Sequence, residues 1–491
     1  MASACSRAEE ATYTVELLGP ANAFVGATSV SLLLRDREVA KAAIPASGAF
    51  SLEVPGLDPT VERATIFTVR ALAADNRVVA FGQSPEVEVL TQNQVLRVFV
   101  QPPGTFARAQ DLATKLINNF LVTAEILPQS PLGLNMTVPL FGLGRTETGG
   151  LASLLYVYDP ITHRVQEIGR TRFGRSGVTA VARAGGLVVL FGGYGTPIFA
   201  EGEKTNAQIE FFAPSRSTFA TFQNLQQPGS ITADPMHARA RAAVALAVQK
   251  RLYIGGVDDA NAPLKTVMSV DESTGGNTAT AAYTPMAAAR VDHTATSDPT
   301  SVLAGDFTDS SGRVLVYGGN SEGPVAEVLI ARTSEWRPAI LPAGPTGTAR
   351  SQHQAVLLPS AADPKVSQVL ILGGGDAMGA ARGDSVLCTP STLTCEPGPI
   401  TLRTPRKDFT VFKVRNDLVV AGGIGPDGQP VAKAEIYDLA TLAFVAEVDA
   451  VARSGAGAST LPNASTVLIG GVGVGGAPAT AVEIYQPRRT L

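Results

Sequence analysis

Six short apolar runs in this 491-residue chain end in two consecutive glycines. The pairs are Gly192 and Gly193, Gly255 and Gly256, Gly318 and Gly319, Gly373 and Gly374, Gly422 and Gly423, and Gly470 and Gly471. Successive pairs begin 48 to 63 residues apart, and a degenerate copy with Gly142 and Gly144 precedes them. A period of this length is typical of repeat architectures in which each repeat is one supersecondary unit. The spacing therefore predicts seven units over residues 134–491.

Each predicted unit carries further landmarks in a fixed order. A loop of variable length follows the glycines, and a strand then closes on a turn such as the one at Asp159 or Asp438. A fourth strand usually follows. An arginine opens the next unit, at Arg172, Arg239, Arg290, Arg350, Arg406 and Arg453. Four antiparallel strands per period is the pattern of a β-propeller blade.

These landmarks resemble the Kelch repeat family over residues 134–491. The family's marks are the two glycines after an apolar strand, the Tyr-Asp-Pro-like turn, and the opening arginine, which twice reads Arg-x-x-His-x-Ala ("RVDHTA" and "RSQHQA"). The resemblance implies an all-β fold with a Kelch-type propeller. Seven blades are expected, or six if the degenerate first copy belongs to a linker.

The crowding of inner strands around a propeller axis gives the glycines a physical role. A strand that leaves this crowd bends where a Cβ would clash, and glycine both lacks the Cβ and adopts positive φ. We therefore interpret the twelve glycines as structural. Loops such as "GGYGT" also look like nucleotide-binding loops, but no helix pattern follows them to receive a phosphate.

The first part of the chain predicts a different module. Residues 10–103 contain segments that alternate at strand period between turn residues, which favours a small β-sandwich. Their stretch "SGAFSLEVPGL" is similar to immunoglobulin-like and carboxypeptidase-regulatory-like sandwiches. Residues 104–133 are predicted to be a linker with a short helix in "FARAQDLATKLINNFL". The last unit ends one strand short, and residues 118–127 are the candidate strand that closes the ring.

The three cysteines bear on the compartment. Cys388 and Cys395 flank a turn and predict a disulfide across a hairpin, which implies an oxidising compartment; the alternative is two small apolar residues in a reduced protein. Cys5 lies in a tail, residues 1–9, that resembles a bacterial lipoprotein start, so a lipid anchor is one reading and an incidental cysteine the other. No transmembrane segment is expected. We predict an exported protein of the periplasm, the outer-membrane surface or the exterior.

The sequence contains no recognisable catalytic, metal-binding or cofactor-binding motif. The four histidines lack metal-ligand spacing, no nucleophile motif occurs, and Asp306 and Asp309 lack the rest of a calcium loop. We therefore predict no catalytic residue, no metal and no cofactor. A net charge of −4 without a dense basic run argues against nucleic acid as a partner.

These observations favour a non-catalytic binding protein. In an antiparallel blade, the loop after strand two and the crossing into the next blade emerge on the same face, which would gather the variable loops and the six opening arginines. One hypothesis is a basic ring for carboxylates on a protein or an acidic glycan. In the other hypothesis, each arginine is structural and joins its blade to the next by hydrogen bonds to backbone carbonyls. The alternative function is a carbohydrate-active or oxidase-type enzyme on the same propeller.

Overall fold

The computed structural model describes most of the chain and is all β. The described residues are 11–44, 51–57, 63–89, 94–117, 119–126, 136–182, 187–195, 204–212, 229–232, 238–247, 250–271, 279–280, 283–298, 312–319 and 322–488. Within these ranges the only helical segments are two 3-10 turns, Pro345–Gly347 and Val474–Gly476. No helix in the described ranges is long and apolar enough to cross a membrane.

Nine strands form the N-terminal module. They are β1 (Ala11–Leu18), β2 (Ser29–Leu34), β3 (Arg37–Ala43), β4 (Ser51–Leu57), β5 (Ala64–Thr65), β6 (Phe67–Leu72), β7 (Val78–Gln83), β8 (Val87–Glu88) and β9 (Gln94–Phe99). Two sheets, ordered β4-β1-β9 and β3-β2-β6-β7, face each other across one hydrophobic core. Val15 and Val98 enter this core from the first sheet, and Leu32 and Val69 enter it from the second. The module is therefore built as a β-sandwich.

The remaining strands run from residue 105 to residue 486. They are β10 (Thr105–Asp111), β11 (Leu116–Ile117), β12 (Phe120–Ile126), β13 (Met136–Gly142), β14 (Arg145–Thr146), β15 (Leu154–Asp159), β16 (Arg164–Arg170), β17 (Arg175–Ser176), β18 (Thr179–Ala182), β19 (Val188–Phe191), β20 (Tyr194–Gly195), β21 (Lys204–Thr205), β22 (Gln208–Phe212), β23 (Gly229–Thr232), β24 (Ala243–Ala247), β25 (Lys250–Ile254), β26 (Val267–Asp271), β27 (Ala279–Thr280), β28 (Thr294–Asp298), β29 (Arg313–Tyr317), β30 (Ala326–Ile330), β31 (Glu335–Pro338), β32 (Gln354–Pro359), β33 (Ser367–Leu372), β34 (Ser385–Thr389), β35 (Thr394–Pro397), β36 (Thr410–Val414), β37 (Asp417–Ala421), β38 (Lys433–Asp438), β39 (Phe444–Asp449), β40 (Gly457–Thr460), β41 (Thr466–Ile469) and β42 (Ala481–Gln486).

These strands form seven four-stranded antiparallel sheets, which we call units 1 to 7 in chain order. Unit 1 is β12-β13-β15-β16 and unit 2 is β18-β19-β22-β23. Units 3 to 6 each take four consecutive strands from β24 to β39, and unit 7 is β40-β41-β42 with β10 on its outer edge. The short strands β11, β14, β17, β20 and β21 pair in the connecting loops. The first strand of each unit packs against the first strand of the next, and β40 packs against β12.

The prediction for residues 104–133 was partly wrong. The segment predicted to contain a helix instead forms β10, β11 and β12 among its described residues. Unit 7 does lack a strand of its own, but Thr105–Asp111 supplies it by pairing with β42, and Phe120–Ile126 is the first strand of unit 1. The free edge of β42 offers unpaired N–H and C=O groups, and satisfying them outweighs the local helical spacing of the segment.

The sandwich contacts units 1 and 7 through specific polar and aromatic groups. Asn463 donates a hydrogen bond from Nδ2 to the Gln83 carbonyl at 2.7 Å, and Gln101 donates one from Nε2 to the Ile484 carbonyl at 3.0 Å. The rings of Phe99 and His163 lie 5.7 Å apart. Burial lowers the pKa of His163 to about 4, so this histidine is neutral within the contact.

The predicted disulfide is confirmed. Cys388 and Cys395 are directly opposite each other on β34 and β35, with 4.0 Å between their Cα atoms. Both side chains are buried between units 4 and 5, where they pack with Val328 and Val369. The bond therefore joins the third and fourth strands of unit 5.

Candidate functional site

The six glycine pairs sit where the second strand of a unit turns into its loop. All twelve glycines have φ between +53° and +98°. A Cβ on Gly373 would lie 2.8 Å from the Arg406 carbonyl oxygen and 2.8 Å from the ring of Phe409, both in the next unit. Real Cβ contacts are not this short, so the close approach of consecutive units at this point requires a residue without a side chain.

The opening arginines lie under these turns rather than on the surface. The side chains of Arg239, Arg290, Arg350, Arg406 and Arg453 are at most 2% exposed. Arg406 is typical, since its Nη1 donates to the carbonyl of Gly422, the first glycine of its own unit, at 3.0 Å, and its Nη2 donates to Glu435 at 2.6 Å. A ligand does not reach guanidinium groups that are buried and hydrogen-bonded in this way. The arginine ring that we predicted as a ligand face is therefore not available at these five positions.

Arg172 is not the buried arginine that opens unit 2, contrary to the prediction. Its side chain is exposed and lies over the ring of Phe173, at 5.3 Å from the centroid. The arginine that takes the buried position in unit 2 is Arg175, which is 0% exposed, donates to the Gly192 carbonyl at 3.0 Å and pairs with Glu210. The sequence held a signal for this register, because Arg175-Ser-Gly repeats as Arg453-Ser-Gly.

The acidic partners of these arginines were not predicted from the sequence. Four of them are glutamates on the third strand of the same unit, namely Glu210, Glu327, Glu435 and Glu483. In unit 5, Asp384 takes this role for Arg350 at 2.8 Å. Arg239 in unit 3 instead donates to the hydroxyl and carbonyl of Thr266, and burial lowers its pKa to about 10. The buried arginine and its acceptor thus clamp the start of a unit onto its third strand.

Unit 1 lacks both members of this clamp. Leu116 stands at the arginine position, and Tyr156 stands at the position of the glutamate. Leu143, at φ +57°, replaces the first glycine. The Tyr156 hydroxyl lies 2.6 Å from the hydroxyl of Thr114. Loss of the arginine together with its carboxylate avoids leaving either charge buried alone.

Two residues after each buried arginine, the chain turns into a central cavity. The residues at this position are Gly177, Arg241, Asp292, Gln352, Asp408 and Gly455, which we call the mouth ring. All six have φ between +53° and +65°. Main-chain hydrogen bonds join neighbours in the ring, for example from Asp408 N–H to the Gln352 carbonyl at 2.9 Å and from Gly455 N–H to the Asp408 carbonyl at 2.8 Å. At each position the residue lines the cavity, and the four positions that are not glycine contribute a side chain to it.

The cavity has a volume of about 810 Å³ and two unlike walls. Units 3 to 6 contribute a polar wall of Arg241, Asp292, Gln352 and Asp408. Units 7, 1 and 2 contribute a second wall, on which the mouth ring carries glycine in units 7 and 2. This wall combines an apolar patch of Phe120, Leu121 and Val178 with polar side chains, namely Asn119, Arg145, Ser176 and Thr179.

Arg241 and Asp292 form an ion pair at the cavity mouth. Arg241 donates from Nε to Oδ1 of Asp292 at 3.0 Å and from Nη2 to Oδ2, so both carboxylate oxygens are engaged. The two side chains remain 38% and 23% exposed. The pair therefore presents its remaining donors and acceptors to anything that enters the cavity.

Asp408 is the more buried acid of the polar wall. Burial raises the pKa of its carboxyl to about 6, and the charge of Asp292 adds to this rise, whereas the Ser454 hydroxyl, Arg241 and Lys407 oppose it. No lysine or arginine lies within ion-pair distance of Asp408 in the described ranges. Asp408 is thus an acceptor that the fold does not neutralise.

His293 lines the cavity behind the polar wall, and its side chain is 8% exposed. Burial, with the nearby charge of Arg290, lowers the pKa of His293 to about 3, so its imidazole is neutral. The described residues contain no group of three or more His, Cys, Asp or Glu side chains arranged to hold a metal ion. Cys5, His237, Asp306 and Asp309 lie outside the described residues.

Comparison with known protein families finds no family model that matches the chain, and comparison with curated proteins finds no match either. The geometry of the cavity is therefore the basis for an assignment of function.

Proposed function

We propose that the seven units form a seven-bladed β-propeller of the Kelch type, with the N-terminal sandwich docked against its first and last blades. Three observations support this fold. Each unit has four antiparallel strands. The contacts between first strands return from β40 to β12. The strand β10 joins the two ends of the repeat by completing unit 7.

On this scaffold we propose a non-catalytic binding protein, exported from the cytoplasm, that takes a protein or a glycan on the face that carries the mouth ring. The observation that carries the proposal is the cavity of about 810 Å³, which lies within the range of roughly 300–1,000 Å³ typical of small-molecule sites. The side chains that line it come from separate units and converge on one space. The disulfide is compatible with export.

A single substitution can fill this cavity without disturbing the fold. Gly177 has φ +65°, and a Cβ there would meet its nearest neighbours, Arg241 and Tyr194, at 3.5 and 3.6 Å, which is ordinary contact. Asparagine tolerates left-handed backbone, so Gly177→Asn places a side chain in the cavity as four other units already do. Gly26→Asn is the matched control, because Gly26 has φ +79° in a turn of the sandwich with nothing within 4 Å of its Cβ position.

The test is binding of the full chain to glycan and peptide microarrays. We expect Gly177→Asn to lose the bound spots of the wild type and Gly26→Asn to keep them, with both melting temperatures close to the wild-type value. Spots that persist unchanged in Gly177→Asn would place binding elsewhere and refute the proposal.

A carbohydrate-active enzyme is the second candidate, favoured by one observation. Asp292 is held by Arg241, whereas the pKa of Asp408 is raised to about 6, so two acids of unlike environment line one cavity. Mass spectrometry of oligosaccharides incubated with the protein distinguishes the candidates. Products that form with the wild type and not with Asp408→Asn favour the enzyme, and unchanged oligosaccharides favour the binding protein.

A further inference from the structure

The apolar patch and the polar wall of the cavity match the two kinds of surface on a sugar ring. A pyranose exposes a C–H face that is apolar and an edge of hydroxyl groups that both donate and accept hydrogen bonds. We infer that the cavity binds the uncharged terminal sugar of a glycan, with its C–H face on the apolar patch and its hydroxyls on the polar wall. This inference rests on the proposed binding function and names the ligand class of that same site.

The apolar patch provides a surface that a sugar face can cover. Phe120 and Leu121 open the first strand of unit 1, and Val178 precedes the first strand of unit 2. Gly455 and Gly177 flank these residues, so the mouth ring adds no side chain from units 7 and 2, and Asn119 and Arg145 line the cavity beside them. Tyr194 adds an aromatic ring at the edge, fixed by a hydrogen bond from its hydroxyl to Oδ1 of Asn261 at 2.8 Å.

The polar wall provides acceptors and donors in alternation around the ring. Asp292 and Asp408 supply carboxylate oxygens, and the Gln352 amide between them supplies a donor and an acceptor. Adjacent sugar hydroxyls pair well with such groups, since each hydroxyl donates to an oxygen and accepts from an N–H.

The charge of the lining argues for an uncharged ligand. Its charged side chains are two arginines, Arg145 and Arg241, and two aspartates, Asp292 and Asp408. Arg241 is engaged by both oxygens of Asp292, so a sugar carboxylate would have to displace that pair. A carboxylate would also lie against Asp408, and like charges in a partly buried site repel. The acidic glycan that we expected from the arginines is therefore disfavoured here.

The experiment measures binding of the full chain to methyl pyranosides by titration calorimetry and by saturation-transfer NMR. The probes are the methyl glycosides of glucose, galactose, mannose and N-acetylglucosamine, with methyl glucuronide as the negatively charged counterpart of the glucoside. We expect at least one neutral glycoside to bind, its C–H protons to receive the strongest saturation, and methyl glucuronide to bind at least tenfold more weakly. Gly177→Asn should abolish this binding, and Gly26→Asn should preserve it.

Two results would overturn the inference. One is tighter binding of a charged glycoside than of its neutral counterpart, and the other is neutral binding that survives Gly177→Asn. If no glycoside binds while Gly177→Asn removes binding to a peptide on the array, the sugar inference fails and the proposed binding function stands. If Gly177→Asn changes no binding at all, both fail.

Discussion

Asp408→Asn should stabilise the protein at neutral pH, because the ionised carboxylate of Asp408 is less stable in the folded protein than in the unfolded chain. Its pKa is raised from 3.8 to about 6, so the folded state binds the proton more tightly than the unfolded chain does. Well below pH 3.8 both states are protonated and the cost of ionisation is absent, and at pH 4 only a small part of it is present. As the pH rises through 6 the cost grows to its full value, which at about 1.4 kcal/mol per pKa unit is roughly 3 kcal/mol. Asparagine keeps the shape of the side chain and removes the ionisation.

The assay is urea unfolding of wild type and Asp408→Asn at pH values from 4 to 8. We expect nearly equal free energies of unfolding near pH 4 and a variant more stable by up to about 3 kcal/mol at pH 8. The control is Asp427→Asn, because Asp427 lies in an exposed loop of the same unit and accepts a hydrogen bond from Gln429 N–H at 3.0 Å that asparagine can also accept. Its effect should stay within about 0.5 kcal/mol at every pH. A stabilisation by Asp408→Asn that is the same at pH 4 and pH 8, or that grows toward acid, would refute the reasoning.

Three further predictions concern the clamp, the turns and the disulfide. Glu435→Gln should destabilise the protein by about 3 to 5 kcal/mol in urea unfolding, because it leaves the buried charge of Arg406 without its carboxylate; a loss under 1 kcal/mol would contradict this. Gly373→Val should lower the free energy of unfolding by roughly 1 to 3 kcal/mol, since φ is positive there, and an unchanged melting temperature would mean that the strain is absent. Replacing Cys388 and Cys395 together by serine should cost about 2 to 3 kcal/mol for so short a loop. Intact-mass analysis after alkylation should find neither thiol free before reduction; two labelled thiols would show that the bond does not form.

The repeat could be predicted because its signal is local and recurs. Each glycine pair combines positive φ with a neighbouring atom too close for a Cβ, so glycine recurs there and the pairs are visible in the sequence. The turn that brings Cys388 and Cys395 together is visible for the same reason of locality. The segment after residue 104 was misread as a helix because its partner, β42, lies at the far end of the chain, and spacing alone carries no information about a distant partner. Arg172 was preferred to Arg175 because two arginines stand three residues apart, and the Arg-Ser-Gly repeat that distinguishes them occurs in only one other unit.

The candidate site was hidden for a different reason. The residues of the mouth ring share a backbone conformation but not a side-chain type, since glycine, arginine, aspartate and glutamine all occur there. A repeat search finds what is the same in every unit, whereas a binding site is made of what differs. The arginine two residues earlier, which units 2 to 7 share, is the marker that would have located these positions, had it been interpreted as buried.

The strand β10 also affects the order in which the molecule can be completed. Thr105 pairs with Gln486, so the outer edge of unit 7 is synthesised before any other strand of the repeat and remains without its partner until residues 481–486 have been synthesised. Until then its backbone N–H and C=O groups are unpaired and can bond to a strand of another chain, which leads to aggregation. Its sequence counters that hazard, because Arg108 and Asp111 place opposite charges along it and remain exposed even after pairing. The same residues that leave the finished edge soluble protect the nascent one.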